Sequence, residues 1–491
     1  MEQRIRRLNP LDLRPGGEYV LYWMRWNRRV ESNHALAFAA ELANRMDLPL
    51  LVLETWDCAS AYAAGRRHEF VVQGVAETAR RLRKLGAGYQ FVSSKQGSEE
   101  QQVLREMARK AAAVVTDDYP APIAGPSIDC PVQAFAVDSS CIVPMSLIES
   151  RSYAAYSIRP KIHQLLPQFL KPVPAVKLRR RLAGDAAHLP VAPASSAALF
   201  RGGRLEAERL LQQFLDHRLP RYASEKNEPS AHATSDLSPY LHFGHISSLE
   251  VALAVHDYGA QHKLIADEFL EELIVRRELA FNFVRYAQRV DSLAELPEWA
   301  RATLDRHRAD RRDPVYSREQ LESAATYDEL WNATQKELVL RGKIHGYYRM
   351  YWGKKIIEWS ATPEEALAAM IYFHDRYALD GQDPNTYANI LWCFGLHDRP
   401  WTERPIFGTI RWMSRAGMER KTGVQAYLSE IDCLERTGRW GGAGGSPALS
   451  PSSRVGGKPS NPRSDKVSEP PPTRALASTR ERKQTDKEHH T

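Results

Sequence analysis

At 491 residues with a 43% apolar share, the chain is too long for one compact core and close to the globular norm, which excludes a wholly disordered protein and predicts at least two domains. A net charge of +7 permits a polyanionic partner without identifying one, since the end beyond Arg439 is itself basic. Five scattered cysteines (58, 130, 141, 393 and 433) without a CxxC spacing argue for a reducing compartment and against a zinc site; no apolar run approaches a secretion signal or membrane span, so a soluble, cytoplasmic, monomeric protein is expected.

Short apolar runs alternate with amphipathic segments from Glu18 onward. Tyr19–Trp23 reads as a strand, Asn33–Met46 as an Ala-rich helix, and Leu48–Glu54 as the next strand, with Pro49 at its start. Glu69–Leu85 and Glu99–Ala112 read as helices, and Tyr89–Val92, Ala113–Asp117 and Val132–Val137 as strands. This alternation predicts a Rossmann-like parallel sheet covered on both faces, over residues 1–145. No GxGxxG follows the first strand, so the usual dinucleotide fingerprint is missing.

Strand signals stop near residue 145. Residues 146–202 are expected to be an interdomain linker, with Lys171-Pro-Val-Pro, the Arg run within 177–182 and the Pro190–Ser196 stretch on the surface. Patterns at three and four spacing, as in Glu268–Tyr286 and Pro363–Tyr377, make 203–436 an all-α domain. From 437 to 491 the composition turns to Gly, Ser, Pro, Lys and Arg, which cannot bury enough surface to offset its ordering entropy, so a disordered basic tail is expected; the glycines of 441–445 follow no strand and make a weak phosphate loop.

Three constellations can carry chemistry. Thr234-Ser235-Asp236-Leu237-Ser238-Pro239-Tyr240-Leu241-His242-Phe243-Gly244 opens a helix with hydroxyls and an acid, fitting either a phosphate cradle or an ordinary helix cap. In Glu271-Glu272-Leu273-Ile274-Val275-Arg276-Arg277-Glu278-Leu279-Ala280, Glu272 and Arg276 one turn apart fit a surface ion pair, or a cavity wall on which the carboxyl can meet a carbonyl or imide. In Arg349-Met350-Tyr351-Trp352-Gly353-Lys354-Lys355-Ile356-Ile357-Glu358-Trp359, the two tryptophans lie about 10 Å apart along one helix face, which suits electron hopping or a packed seam. Leu379-Asp380-Gly381-Gln382-Asp383-Pro384-Asn385 adds a loop dense in acceptors.

Taken together in this order, these motifs and Asp398-Arg-Pro-Trp-Thr-Glu-Arg-Pro-Ile-Phe-Gly resemble the class II cyclobutane pyrimidine dimer photolyases, over Tyr19 to about Tyr427. The resemblance implies an N-terminal α/β domain and a helical domain holding FAD in a bent form. It implies that Tyr222, Thr234, Ser235, Leu237 and Ser238 contact its phosphates and ribityl chain, and that Arg349 pairs with Asp380 beside the isoalloxazine, with Asp383 nearby. Glu272 would bind the dimer, Met350 face it and Trp392 wall it. Trp352, Trp331 and Trp359 would carry electrons to the flavin, Trp352 nearest and Trp359 at the surface. Lys354 and Lys355 are expected on the pocket rim against DNA phosphates.

Two positions depart from the family pattern. His374 stands where an Asn facing flavin N5 is expected, and its imidazole would change charge near neutral pH. Phe281 replaces a polar residue between Ala280 and Asn282. An antenna pigment in the first domain, a deazaflavin, another chromophore or none, is left open. The implied activity is light-driven repair of pyrimidine dimers in DNA. Its rivals are a cryptochrome-like photoreceptor that keeps FAD and the Trp chain, and a light-independent nucleic-acid-binding flavoprotein.

Overall fold

A computed structural model of the chain describes residues 1–57, 65–94, 99–120, 130–182 and 199–440. Cys58, the Pro190–Ser196 stretch, the glycines of 441–445 and the tail that follows lie outside the described residues.

The first part is a six-stranded sheet in the order β1-β6-β5-β2-β3-β4, formed by Ile5–Arg7 (β1), Tyr19–Met24 (β2), Leu50–Asp57 (β3), Gly88–Ser94 (β4), Ala111–Asp117 (β5) and Ala134–Val137 (β6). Its central strands β2 and β5 are buried at every residue, as a sheet covered on both faces requires. Alternating side chains feed two cores: Val20, Tyr22 and Met24 pack with the helix His34–Arg45 on one face, and Tyr19, Leu21 and Trp23 with the helix Glu99–Ala108 on the other. The sheet is mixed rather than wholly parallel, because β1 runs antiparallel to β6 (Arg6 opposite Ala136). Three residues, two of them arginines, give too short and too polar a run to read as a strand.

The stretch expected as linker contains a helix, Ala155–Phe169, whose Ile158 and Ile162 are fully buried. Their core includes Phe70 of the helix Arg66–Leu85 and Leu273 of the helical part, so this segment joins the layers by packing. Helices fill the chain from Arg204 to Thr437. Ordered packing extends past the expected boundary, with Trp440 buried against Arg341, ring centre to guanidinium carbon 4.2 Å.

One contact between the layers positions the site loop. Arg66 and Arg67, at the start of the α/β helix Arg66–Leu85, donate to carbonyls at the C-terminal ends of two other helices. Arg66 reaches Tyr377 O at 3.2 Å and Val339 O at 2.8 Å, and Arg67 reaches Ala378 O at 3.0 Å and Gln382 Oε1 at 3.1 Å. Cations there complement the helix dipole and satisfy orphan carbonyls. The loop after Ala378 comes so close that a Cβ on Gly381 would run into the backbone carbonyl of His374 as well as the Arg67 guanidinium, and because the carbonyl cannot swing aside the glycine in Asp-Gly-Gln is a steric necessity.

Candidate active site

Two adjoining cavities open between the helices. The inner one, about 270 Å³, is lined by Ser235, Ser238, Glu272, Arg349, Asp380 and Asp383 among others. The outer one, about 680 Å³, is lined by Tyr222, Thr234, Glu272, Arg349, Met350 and Trp392 among others. Glu272 and Arg349 belong to both walls. Residues that the sequence scatters over 170 positions thus meet around one continuous space.

The turn at 234–238 is fixed by one buried carboxylate. Asp236, at φ +58°, receives Arg218 at 3.1 Å, Arg341 at 2.9 Å and Lys343 at 2.7 Å. Burial pushes its pKa up, but these three cations more than offset it and hold the carboxyl far below the usual range. Glu337 also pairs with Arg341 at 2.9 Å, leaving the cluster one positive charge in excess beside the inner cavity, which Lys343 lines. Lys343 was missed in the sequence because it lies outside any motif; Arg341 ends the helix just before it, and Arg218 comes from a separate helical stretch. Leu237 is buried in the core below the turn.

Glu272 lies in a π-helical stretch, Glu271–Arg276, and the widened turn breaks the pairing expected from α-helical spacing. Arg276 lies 3.5 Å from Glu271, which also takes Arg159 at 2.7 Å. The Glu272 carboxyl faces the cavities instead. The side chain is exposed toward the open cavities, yet the protein atoms around the carboxyl desolvate it enough to push its pKa up despite Arg276 and Lys226 nearby.

Arg349 and Asp380 approach to 3.8 Å. Burial would raise the Asp380 pKa, but Arg349, the Ser238 hydroxyl, Lys343 and His374 bring it below the usual value. Asp383 caps the helix Pro384–Cys393 by accepting from Asn385 N at 2.9 Å, and also holds His242 at 3.1 Å and Tyr119 at 3.2 Å. Its carboxyl therefore secures the loop to the α/β layer through Tyr119, and burial is outweighed by His242, the Arg277 charge and the Asn385 amide, which bring its pKa down to about 2.

His374 is buried behind the cavities, edge-on to Trp352 at 5.2 Å, with Nδ1 3.2 Å from Met370 O. Desolvation and the Arg349 charge push its pKa down to about 3, so the charge change near neutral pH expected from sequence does not occur. Phe281 fills a buried position between Tyr119 (5.4 Å) and the Arg277 guanidinium (4.4 Å), which explains why an apolar ring is accommodated there.

The tryptophans form a continuous ladder. Trp352 and Trp331 are parallel at 6.4 Å, and Trp331 meets Trp359 at 5.5 Å. Trp352 Nε1 donates to Gln335 and Trp331 Nε1 to the Trp352 carbonyl, which fixes both rings. Two expectations are corrected. Trp359 is only 1% exposed, because Tyr316 and Tyr327 cover it. Lys354 and Lys355 are also buried; Lys354 donates to Cys393 O at 2.6 Å and desolvation lowers its pKa to about 8, while Lys355 pairs with Glu358 at 2.9 Å. Other cations line the outer cavity instead, Lys226, Arg276 and Arg411 among them, and Arg411 stacks on Trp392 and Trp401 at 5.7 and 4.9 Å.

An α/β layer joined to a helical body with a deep cavity is the architecture of photolyases: a bacterial class III photolyase structure from Agrobacterium tumefaciens superimposes with a TM-score of 0.66 at 19% identity, over 87% of this chain and 89% of that one. In sequence, residues 20–177 match the DNA photolyase family. A deoxyribodipyrimidine photo-lyase of Methanothermobacter thermautotrophicus is 39% identical, covering 87% of this chain and 98% of the relative, and one of Oryza sativa subsp. japonica is 37% identical, covering 88% and 90%. The chain belongs to the DNA photolyase family and is an enzyme, a lyase.

The site fits a large, polar, anionic cofactor. The paired cavities are of the size that takes a dinucleotide together with a second ligand. His345 Nε2 and Arg349 Nε, on lining residues, are buried without a hydrogen-bond partner, as is His374 Nε2 behind them; such groups call for a partner that the protein does not supply. Among the described residues no group of His, Cys, Asp and Glu could hold a metal ion, and no helix is long and apolar enough to cross a membrane.

Proposed function

We propose that the protein is a class II photolyase that binds FAD across the inner cavity and the adjoining floor of the outer one, takes a cyclobutane pyrimidine dimer flipped out of DNA into the rest of the outer cavity, and repairs it with light. The observation that carries this reading is Glu272, one carboxyl shared by both cavity walls. A dimer is poorly stacked and paired, so extruding it from the duplex costs less than extruding a normal base. When bound, FAD would supply the light-driven one-electron chemistry that opens the dimer ring.

The protein's own residues provide binding and orientation. The upward shift of the Glu272 pKa favours its protonated form, in which the carboxyl donates to a dimer carbonyl and stabilises negative charge developing there. Met350 and Trp392 give the outer cavity apolar walls that displace water from the lesion. Tyr222, Thr234, Ser235 and Ser238, with the positive excess at Lys343, face the phosphate and ribityl part of the cofactor, over Leu237 packed beneath. Arg349 and Asp380 orient the ring system, and Asp383 holds the loop carrying Asp380. His374, neutral, offers a ring nitrogen behind them. Exposed Arg276, Arg399 and Arg404 and half-buried Arg411 meet DNA phosphates, which makes binding salt-sensitive and tolerant of sequence. Trp359, Trp331 and Trp352 relay electrons inward to maintain the reduced cofactor.

The lesion-sized outer cavity favours repair over a sensor, which has no use for one. The test is an oligonucleotide bearing one thymine dimer, incubated with the full-length protein under blue light and in darkness. Loss of the dimer in light alone is expected; persistence of the dimer under illumination contradicts the reading.

A further inference from the structure

The ladder Trp352–Trp331–Trp359 ends at a ring that cannot keep a positive charge. Trp359 is 1% exposed, and no protein group accepts from its buried Nε1, so no side chain or carbonyl is placed to take the indole proton of an oxidised Trp359. The Lys355 ammonium lies 5.4 Å from the ring centre and, although paired with Glu358, raises the cost of a second positive charge there. A hole that stops at Trp359 returns inward. Two tyrosines touch this ring: Tyr316 at 5.4 Å and Tyr327 at 5.5 Å. They differ in access to water. Tyr316 is half-buried, its hydroxyl oxygen already accepting the Tyr327 amide at 3.0 Å, whereas Tyr327 is 61% exposed.

We propose that Tyr327 is the terminal electron donor of this chain, the point where charge leaves the protein. The inference rests on the tryptophan relay of the proposed function. The oxidant is the light-excited, oxidised flavin, which takes one electron from Trp352; the vacancy passes to Trp331 and then Trp359. Tyr327 gives one electron to oxidised Trp359, which returns to neutral Trp, while the Tyr327 O–H bond breaks and its proton goes to solvent water. What remains is a neutral tyrosyl radical at the surface, open to a small-molecule reductant of the thiol class. Proton loss to bulk water opposes the back-transfer that a buried tryptophan cation permits, and this separation of charge is what the exposed ring adds.

Transient absorption of the full-length protein carrying oxidised flavin, supported by electron paramagnetic resonance, tests this in the wild type, Tyr327→Phe, Tyr316→Phe and Trp352→Phe. The wild type is expected to show a tryptophan radical replaced by a neutral tyrosyl radical. Tyr327→Phe loses the tyrosyl signal and its tryptophan radical decays faster by recombination; Tyr316→Phe keeps the tyrosyl signal; Trp352→Phe loses both. A tyrosyl signal that survives Tyr327→Phe but disappears in Tyr316→Phe overturns the assignment, as does a tryptophan radical that never passes to tyrosine while Trp352→Phe still abolishes it. No aromatic radical in the wild type overturns the relay and this proposal together.

Discussion

Arg276 pairs with Glu271, not with Glu272, because the helix takes a π-turn between them. That shift of one residue separates a surface ion pair from a carboxyl left for the cavity, and it makes Glu272 the first residue to test. Removing its side chain in Glu272→Ala is expected to weaken binding of a dimer-containing oligonucleotide by about 1 kcal/mol, roughly fivefold. Glu272→Gln, whose amide can still donate, retains most of the affinity. Titration of labelled duplex, with an undamaged duplex as reference, reads both. Equal affinities for the wild type and Glu272→Ala argue against contact with the lesion.

Asp236 holds three cations, so its loss is expected to cost more than an ordinary surface change. Asp236→Ala leaves Arg218 and Lys343 buried without their carboxylate and is predicted to destabilise the protein by about 3–5 kcal/mol, read as a lowered urea midpoint. A midpoint within error of the wild type contradicts this account of the turn.

Glu278 gives a pH dependence of stability. Its carboxyl accepts the amides of Ile142 and Val143, but burial dominates and pushes its pKa up to about 8, from an ordinary 4.5. Between those values the folded state keeps a proton that the unfolded chain has released. Stability therefore falls as pH rises through this window, by up to about 1.4 kcal/mol per unit. Denaturant titrations across the window are expected to show this slope in the wild type and its loss in Glu278→Gln; parallel profiles count against it.

His374 is expected to stay neutral throughout the range in which a free imidazole titrates, roughly pH 5 to 8. The yield of light-driven flavin reduction measured over that range is predicted to show no step assignable to His374. A step present in the wild type and absent in His374→Asn shows that the imidazole does titrate there.

Much of the fold was legible from periodicity. The alternation of apolar runs located the five strands from β2 to β6, and three-and-four spacing located the helical body, because both patterns follow from which face is buried. Strand β1 escaped because its pairing energy comes from β6, over a hundred residues away, and Ile5-Arg6-Arg7 carries no pattern of its own. The helix Ala155–Phe169 was read as linker because Pro160 and Pro167 interrupt it and only Ala155, Ile158 and Ile162 are fully buried.

Many of the residues expected at the site do meet around the cavities, but their environments were not readable. Lys354 and Lys355 look like rim cations in sequence; burial, the carbonyl of Cys393 for Lys354 and the Glu358 carboxylate for Lys355 give them a structural task. The resemblance puts Trp359 at the surface, yet Tyr316 and Tyr327 cover it from a loop and a turn more than thirty residues earlier. The π-turn under Glu272 has no sequence signature at all. Exposure and ionisation depend on what long-range packing places beside a residue, and no local pattern records that.

The central claim is tested most directly by the action spectrum of repair: the rate of dimer loss in a defined oligonucleotide, measured wavelength by wavelength with the full-length protein in its reduced state. The account predicts a spectrum that follows the absorption of the bound reduced flavin and vanishes in darkness. Repair that proceeds equally in the dark, or no repair at wavelengths the bound cofactor absorbs, would contradict it.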